Sequence, residues 1–213
     1  MHTLDAMKQR FSANSYDPSK PVTQEQIHTL IEAASQAPSA FNIQHARFLV
    51  VTEAAEREKL CEIALNQEKV KVAPAVFVIL ADTKAHEIFP KVVQRDVEAG
   101  IFDQQLGDHF NQMVQSIYAN DPVKARDEAI RSGSMAAMNL MNAATELGLV
   151  TGPMIGFDPV ALKESFNIDE RFEPVMMITA GYEADGNWPK KTRLSVNDLS
   201  VIDAKTSAQH QFS

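Results

Sequence analysis

Cysteine is nearly absent from this chain. Cys61 stands alone among 213 residues, so no disulfide can staple the fold and no cysteine cluster can hold a metal. That points to a reducing compartment, with the cytoplasm as the expected location. Basic residues are also scarce, 20 Lys and Arg against 28 Asp and Glu, and the net charge of −8 argues against nucleic acid or an anionic membrane as partner. No long hydrophobic run is present. The longest, Val72 to Ala81, is broken by Pro74 and far too short to span a bilayer, so it reads as a core strand. The first residues, Met1-His2-Thr3-Leu4-Asp5, lack the basic and then apolar regions of a secretory leader.

The common catalytic signatures are missing too. There is no Gly-x-Gly-x-x-Gly fingerprint, no phosphate loop ending in Gly-Lys-Ser/Thr and no Gly-x-Ser-x-Gly elbow. His2, His28, His45, His86, His109 and His210 are dispersed, and none pairs at helical spacing with another ligand type, so no metal site is expected.

What remains is an ordinary soluble composition, long enough for one sizeable core across residues 1–213. A short helix is expected over Leu4 to Gln9, then irregular chain to Pro21. Thr23 and Gln26 fit a capping box opening a helix over Gln24 to Ala34, with Ile27, Leu30, Ile31 and Ala34 on one face. Pro38 ends it. Arg47 to Val51 and Ala75 to Leu80 read as buried strands, with an amphipathic helix over Ala54 to Ala64 between them. Residues 82–122 show no clean period and are expected to vary. A long helix with small residues on several faces spans Val123 to Leu149, stopped by Gly148. Gly152 to Gly156 reads as a tight loop, Asp158-Pro159 caps a helix to Phe166, and Pro174 to Gly181 is a further strand. Residues 187–213 form a polar extension. Strands joined by helices favour mixed α/β layering.

Polar donors recur at short spacings. Arg10, Ser12 and Asn14 alternate, which in extended chain places all three on one side, and Lys191 and Arg193 alternate likewise. A phosphate monoester, with roughly −1.5 to −2 charges near neutral pH, prefers several such charge-assisted donors. Asn66 and Lys69 share a face if the helix from Ala54 continues, presenting an amide and a cation together. Pro38, Ser39 and Ala40 offer little bulk to a flat ligand, while Asn42 and Gln44 can donate and accept. Taken singly, each segment also reads as ordinary structure: a solvated basic edge, a helix-end lysine complementing the dipole, a turn, a polar connection.

In their order along the chain, however, these motifs resemble the flavin-dependent nitroreductase family. The matching segments are Arg10-x-Ser12, Ala37-Pro38-Ser39-Ala40-x-Asn42-x-Gln44, Asn66-x-x-Lys69, Gly152-Pro153-Met154-Ile155-Gly156-Phe157 and Lys191-x-Arg193. The resemblance implies an α+β three-layer sandwich, with a central, mostly antiparallel sheet flanked by helices, in an intertwined homodimer with FMN at the subunit interface. It implies that Arg10, Ser12, Lys191 and Arg193 hold the phosphate and ribityl side, that Asn66 and Lys69 face the pyrimidine edge, and that Phe11 and Asn14 also contact the cofactor. Pro38, Ser39 and Ala40 would come from the other subunit, the backbone N–H groups of Ile155 and Gly156 would reach the flavin N5 and O4 region, and Asn42, Pro153 and Met154 would also contact the cofactor. The implied reaction is ping-pong hydride transfer from NADH or NADPH to nitroaromatics, quinones or similar flat acceptors.

FMN would carry the hard chemistry, so no side chain is assigned a catalytic role. Phe41 and Leu65 are candidates to line the acceptor site, with Phe110 or Tyr118 as a lid from the variable middle region. A dedicated enal, semialdehyde or pteridine reductase, a flavin-consuming enzyme and a non-catalytic flavin-binding protein remain as alternatives. Two positions depart from the family pattern: Asn14 stands where many members carry a basic residue near the flavin, and Ile155 where some carry Glu. Without the first cation, Lys69 bears more of the task of stabilising negative charge on the flavin. The reduction potential is therefore expected to lie below that of Lys-bearing relatives, which parallel redox titrations check.

Overall fold

The computed structural model describes residues 2–200; the part of the expected extension from 201 to 213 lies outside the described residues. Four strands form one sheet in the order β1-β2-β4-β3, every pair antiparallel: β1 (Ala46–Val51), β2 (Ala75–Asp82), β3 (Val150–Met154) and β4 (Phe172–Gly181). Every residue of β2 is buried, which explains its unbroken apolar sequence. Its side chains still alternate between two faces.

Ala75, Phe77 and Ile79 pack into a cluster with Leu30 of α2 (Gln24–Ser35) and with Ala136, Leu140 and Ala144 of α7 (Pro122–Glu146). Val76, Val78 and Leu80 face the opposite layer, where they meet Leu60 of α3 (Ala54–Ile63), Val70 of α4 (Glu68–Val72) and Leu162 of α8 (Pro159–Ser165). The result is three layers with helices on both faces of the sheet, the mixed layering expected from the strand–helix alternation, and because every strand pair is antiparallel the class is α+β. The small residues of α7 let it approach the sheet: a Cβ at Gly133 would lie 3.0 Å from Val175 Cγ2. The capping box at Thr23 and Gln26 is formed, and Asp158 caps α8.

The stretch 82–122 is more ordered than its sequence announces. After a short turn at Ala85–Glu87, α5 (Phe89–Glu98) and α6 (Gln104–Tyr118) pack on each other, burying Phe89, Val93, Val114 and Tyr118 together with Ile43. Gly107 permits the contact, because a Cβ there would sit 2.8 Å from Val93 Cγ1. Among the described residues no helix is long and apolar enough to cross a membrane.

Two charged groups at one end of the sheet fix its geometry. Asp82, 2% exposed, accepts from Arg171 Nε at 2.8 Å and Nη2 at 3.0 Å, tying the end of β2 to the turn before β4. Beside it His45 is buried, with its Nδ1 lacking a partner. Burial pushes the His45 pKa down to about 4 from 6.5, assisted by Arg47 and His86 and opposed by Glu128 and Asp82. The unfolded chain then binds a proton that the folded chain refuses, so stability falls as pH drops from 6.5 toward 4, by roughly 3 kcal/mol in all. Urea titrations between pH 7 and 4.5 are expected to show this slope, and His45→Gln is expected to flatten it.

Candidate functional site

The N-terminal segment is laid against the edge of the sheet. After α1 (Thr3–Gln9) the chain runs extended: Ser12 forms a parallel bridge with Thr151, Ala13 N donates to Thr151 O at 2.9 Å, and Tyr16 bridges Glu183. The Tyr16 hydroxyl lies 2.7 Å from Thr179 Oγ1. There is no space to spare here, since a Cβ at Gly152 would meet Ala13 O at 2.5 Å and Thr179 Oγ1 at 2.6 Å.

The stretch after β4 folds back onto that segment. Asn187 acts as a double staple: its Oδ1 accepts from Asn14 N at 2.8 Å and Ser15 N at 2.9 Å, while Nδ2 donates to Ser15 O at 2.9 Å and Ala184 O at 3.1 Å. Lys190 Nζ donates to the carbonyls of Met7 and Lys8, satisfying two acceptors at the C-terminal end of α1 and complementing its dipole. These two residues bring Lys191 and Arg193 to Ser12 and Asn14. Neither was singled out from the sequence, where Asn187 looks like any polar residue after a glycine and Lys190 is masked by its neighbour Lys191.

Lys69 arrives from the third direction. The helix does not continue from Ala54 through Lys69, because Leu65 and Asn66 take left-handed conformations at φ 56° and 58°. Asn66 N donates to Cys61 O at 2.9 Å, closing α3, and α4 begins afresh with Lys69 in its first turn. Asn66 and Lys69 therefore share no helix face. Gln67 Nε2 donates to Gly156 O at 2.8 Å, and Asp158 N to Ile63 O at 3.0 Å, so this connection is held against the end of β3. That region is itself a strand as far as Met154 and becomes a loop only at Ile155; Pro153 is tolerated because β3 lies at the sheet edge. Met154 is buried in the core, while Ile155 and Leu65 are 78% and 70% exposed.

Phe11, Ser12, Asn14, Lys69, Lys191 and Arg193 line one cavity of about 560 Å³, together with Gly186, Trp188, Pro189 and Lys190. Four of its side chains are cations and none is a carboxylate. Lys191 Nζ lies 5.3 Å from the centre of the Trp188 ring. Arg10 lines the adjoining cavity, beside Phe11 and Thr151, rather than this one, and its Nη1 is buried with no partner. Burial, and then the charge of Arg193, lower the Arg10 pKa; burial also lowers that of Lys69, and Arg193 and Arg10 add to the effect of desolvation on Lys190. Arg10 and Lys190 are thus disfavoured first by desolvation and then by a neighbouring cation, which an anion bound there would offset. The donor set fits a phosphate monoester.

The loop at 37–44 is not brought to this cavity within one protomer. Phe41, Asn42 and Gln44 are left-handed, at φ 53°, 57° and 59°, around a tight turn at Ala40–Asn42, and Ser39 Oγ accepts from Gln44 N at 2.9 Å. Pro38 and Ser39 line a separate cavity of about 80 Å³ with His45, Phe48, Ser132 and Ala136, sharing no lining residue with the cationic one. Phe110 meets Phe41 and Phe102 edge-on, with ring centres 6.3 Å and 5.5 Å away, and Tyr118 is buried beneath them in the α5–α6 cluster.

The sequence model of the nitroreductase family matches residues 7–182. The chain belongs to the nitroreductase family. A Bacillus subtilis (strain 168) relative named "Putative NAD(P)H nitroreductase MhqN" is 39% identical over 195 residues, 91% of this chain and 95% of its own. Among solved structures, the B. subtilis "putative nitroreductase ydfN" superposes with a TM-score of 0.88 at 37% identity, covering 93% of this chain and 97% of its own. A protein from Exiguobacterium sibiricum 255-15 described as "a putative nitroreductase in complex with FMN" gives a TM-score of 0.88 at 28% identity, covering 95% of this chain and 97% of its own. The nitroreductase fold here depends on the seam at Gly152. Gly152→Ala is expected to lower stability by about 1–3 kcal/mol, since the clashing groups are fixed, and urea unfolding midpoints measure it.

Proposed function

We propose that this protein is an FMN-dependent oxidoreductase of the NAD(P)H nitroreductase type, active as a homodimer. The observation that carries the reading is the cationic cavity, in which Ser12 and Asn14, Lys69, and Lys191 and Arg193 converge from three distant stretches of an acidic chain. The FMN held by the Exiguobacterium relative supports it.

On this reading Arg10, Ser12, Lys191 and Arg193 hold the phosphate and ribityl chain. Arg10 lines the adjoining cavity, so its buried, unpartnered Nη1 would reach the phosphate only after turning from there. Asn66 and Lys69 address the pyrimidine edge, and the exposed backbone at Ile155 and Gly156 offers N–H groups beside them. The side chain of half-buried Lys69 has no hydrogen-bond partner among the described residues, so its charge is available to oppose negative charge there. FMN held by these residues would supply hydride-transfer chemistry between NADH or NADPH and a second substrate. Pro38, Ser39, Ala40 and Asn42 of a second copy close the site, which explains why one protomer leaves them apart. The exposed Leu65 and the Phe41–Phe110 pair provide apolar, flat surface for nitroaromatic or quinone acceptors in a ping-pong cycle.

The visible spectrum tests this directly. The purified protein is expected to be yellow, or to become so with added FMN, and to bleach with anaerobic NADH or NADPH; a colourless protein that takes up no FMN defeats the reading. Arg193→Ala is expected to weaken FMN binding about tenfold to a hundredfold, the worth of one charge-assisted contact, as read by flavin fluorescence titration.

A further inference from the structure

A second cationic cavity adjoins the 37–44 loop. It has a volume of about 370 Å³ and is lined by three cations, Arg47, Lys91 and Arg95, and by the apolar side chains of Ile43, Ile88 and Val92. Gln44 and Arg47 belong both to it and to the small cavity containing Pro38 and Ser39. No carboxylate lines it.

These charges are not spent within the protein. The side chains of Lys91 and Arg95, one helical turn apart on α5, have no ionic or hydrogen-bonding partner among the described residues. Arg47 is fixed by donating to the carbonyls of Gln44 at 2.7 Å and Ala46 at 2.8 Å. The one carboxylate near it, Asp82, stands 4.0 Å away and is already satisfied by two bonds from Arg171 and one from Lys84 N. Of the other acids on or flanking the helix, Glu87 pairs with Arg171, Glu98 accepts from Gln94, and Asp96, beside Arg95 in sequence, does not line the cavity. In a chain of net charge −8, two cations without a partner and a third that shares Asp82 with Arg171, over an apolar floor, form a localised anion site.

We propose that Arg47, Lys91 and Arg95 bind a phosphate group of the nicotinamide dinucleotide that donates the hydride. This rests on the flavin reading above, because it is the shared loop at Gln44 and Arg47 that connects the groove to the proposed flavin face. A phosphate ester suits two planar guanidinium forks and an ammonium better than a single carboxylate does. Such a donor reacts at its nicotinamide end and carries its phosphates away from that end. The groove lies where an outlying phosphate has cations to meet and acids to avoid.

Calorimetric titration of the purified protein with adenosine 2′,5′-bisphosphate, 5′-AMP and inorganic phosphate reads the groove without any turnover. Wild type is expected to bind the bisphosphate, and the double variant Lys91→Ala, Arg95→Ala to bind it about tenfold or more weakly. Both side chains are exposed, so the variant keeps its fold, and its FMN content is expected to match wild type. In steady-state assays its KM for the donor rises while kcat is unchanged. A rise confined to NADPH identifies the 2′-phosphate, and a rise for NADPH and NADH alike identifies the pyrophosphate. Unchanged bisphosphate binding and unchanged KM for both donors overturn the proposal. A wild-type protein that takes up no FMN, yet binds the bisphosphate through these residues, overturns the flavin reading instead.

Discussion

The seam where β3 meets the N-terminal segment leaves no space for a single methyl group. Gly152, Ala13, Thr179 and Tyr16 are in van der Waals contact or hydrogen-bonded there, and the backbone of Ser12 is held in a bridge to Thr151 as a result. The placement of Lys191 and Arg193 on the cationic side follows from that contact. With Ser12 and Asn14 fixed against the sheet edge, Asn187 has two amides to accept from, the returning chain has a surface to lie on, and Lys191 and Arg193 acquire their positions. The sheet provides the rigidity, since β2 and β4 are central and β2 is buried throughout.

Local chemistry made much of the fold readable. Thr23 with Gln26 and Asp158 with Pro159 marked helix starts that the structure contains, and the continuous apolar run at 75–80 lies within a fully buried central strand. Three features escaped for identifiable reasons. Pro153 between a glycine and a methionine looked like a turn, yet an edge strand needs no donor on its open side. The helices α5 and α6 hide a narrow apolar face in which Phe110, Val114 and Tyr118 recur every fourth residue while Gly107 occupies the contact point, so charged neighbours drown the period. Leu65 and Asn66 end a helix in left-handed conformations that no glycine announces.

The candidate site was legible by a different route. Spacing alone could put Ser12 beside Asn14, or Lys191 beside Arg193, but it carries no information about contacts between residues more than a hundred positions apart. Their convergence was implied only by the order of motifs shared with a family. The residues that produce the convergence, Asn187 and Lys190, act through backbone groups of other segments and leave no pattern of their own. Arg10 shows the converse: alternation with Ser12 suggested one common face, whereas its guanidinium turns into the neighbouring cavity.

The staple made by Asn187 joins residues 173 and 172 positions apart. Closing so long a loop is entropically among the most expensive steps in assembling the chain, although the cost grows only slowly with length. The stretch from 186 to 193 contributes few buried apolar groups to offset it, so this stretch belongs to the low-stability end of the molecule's local opening equilibria. A ligand that engages Lys191 and Arg193 then draws on the same equilibrium by mass action. Occupancy of the cavity and retention of this final segment are two readings of one thermodynamic quantity, and the sheet beneath, which needs neither, stays as it is.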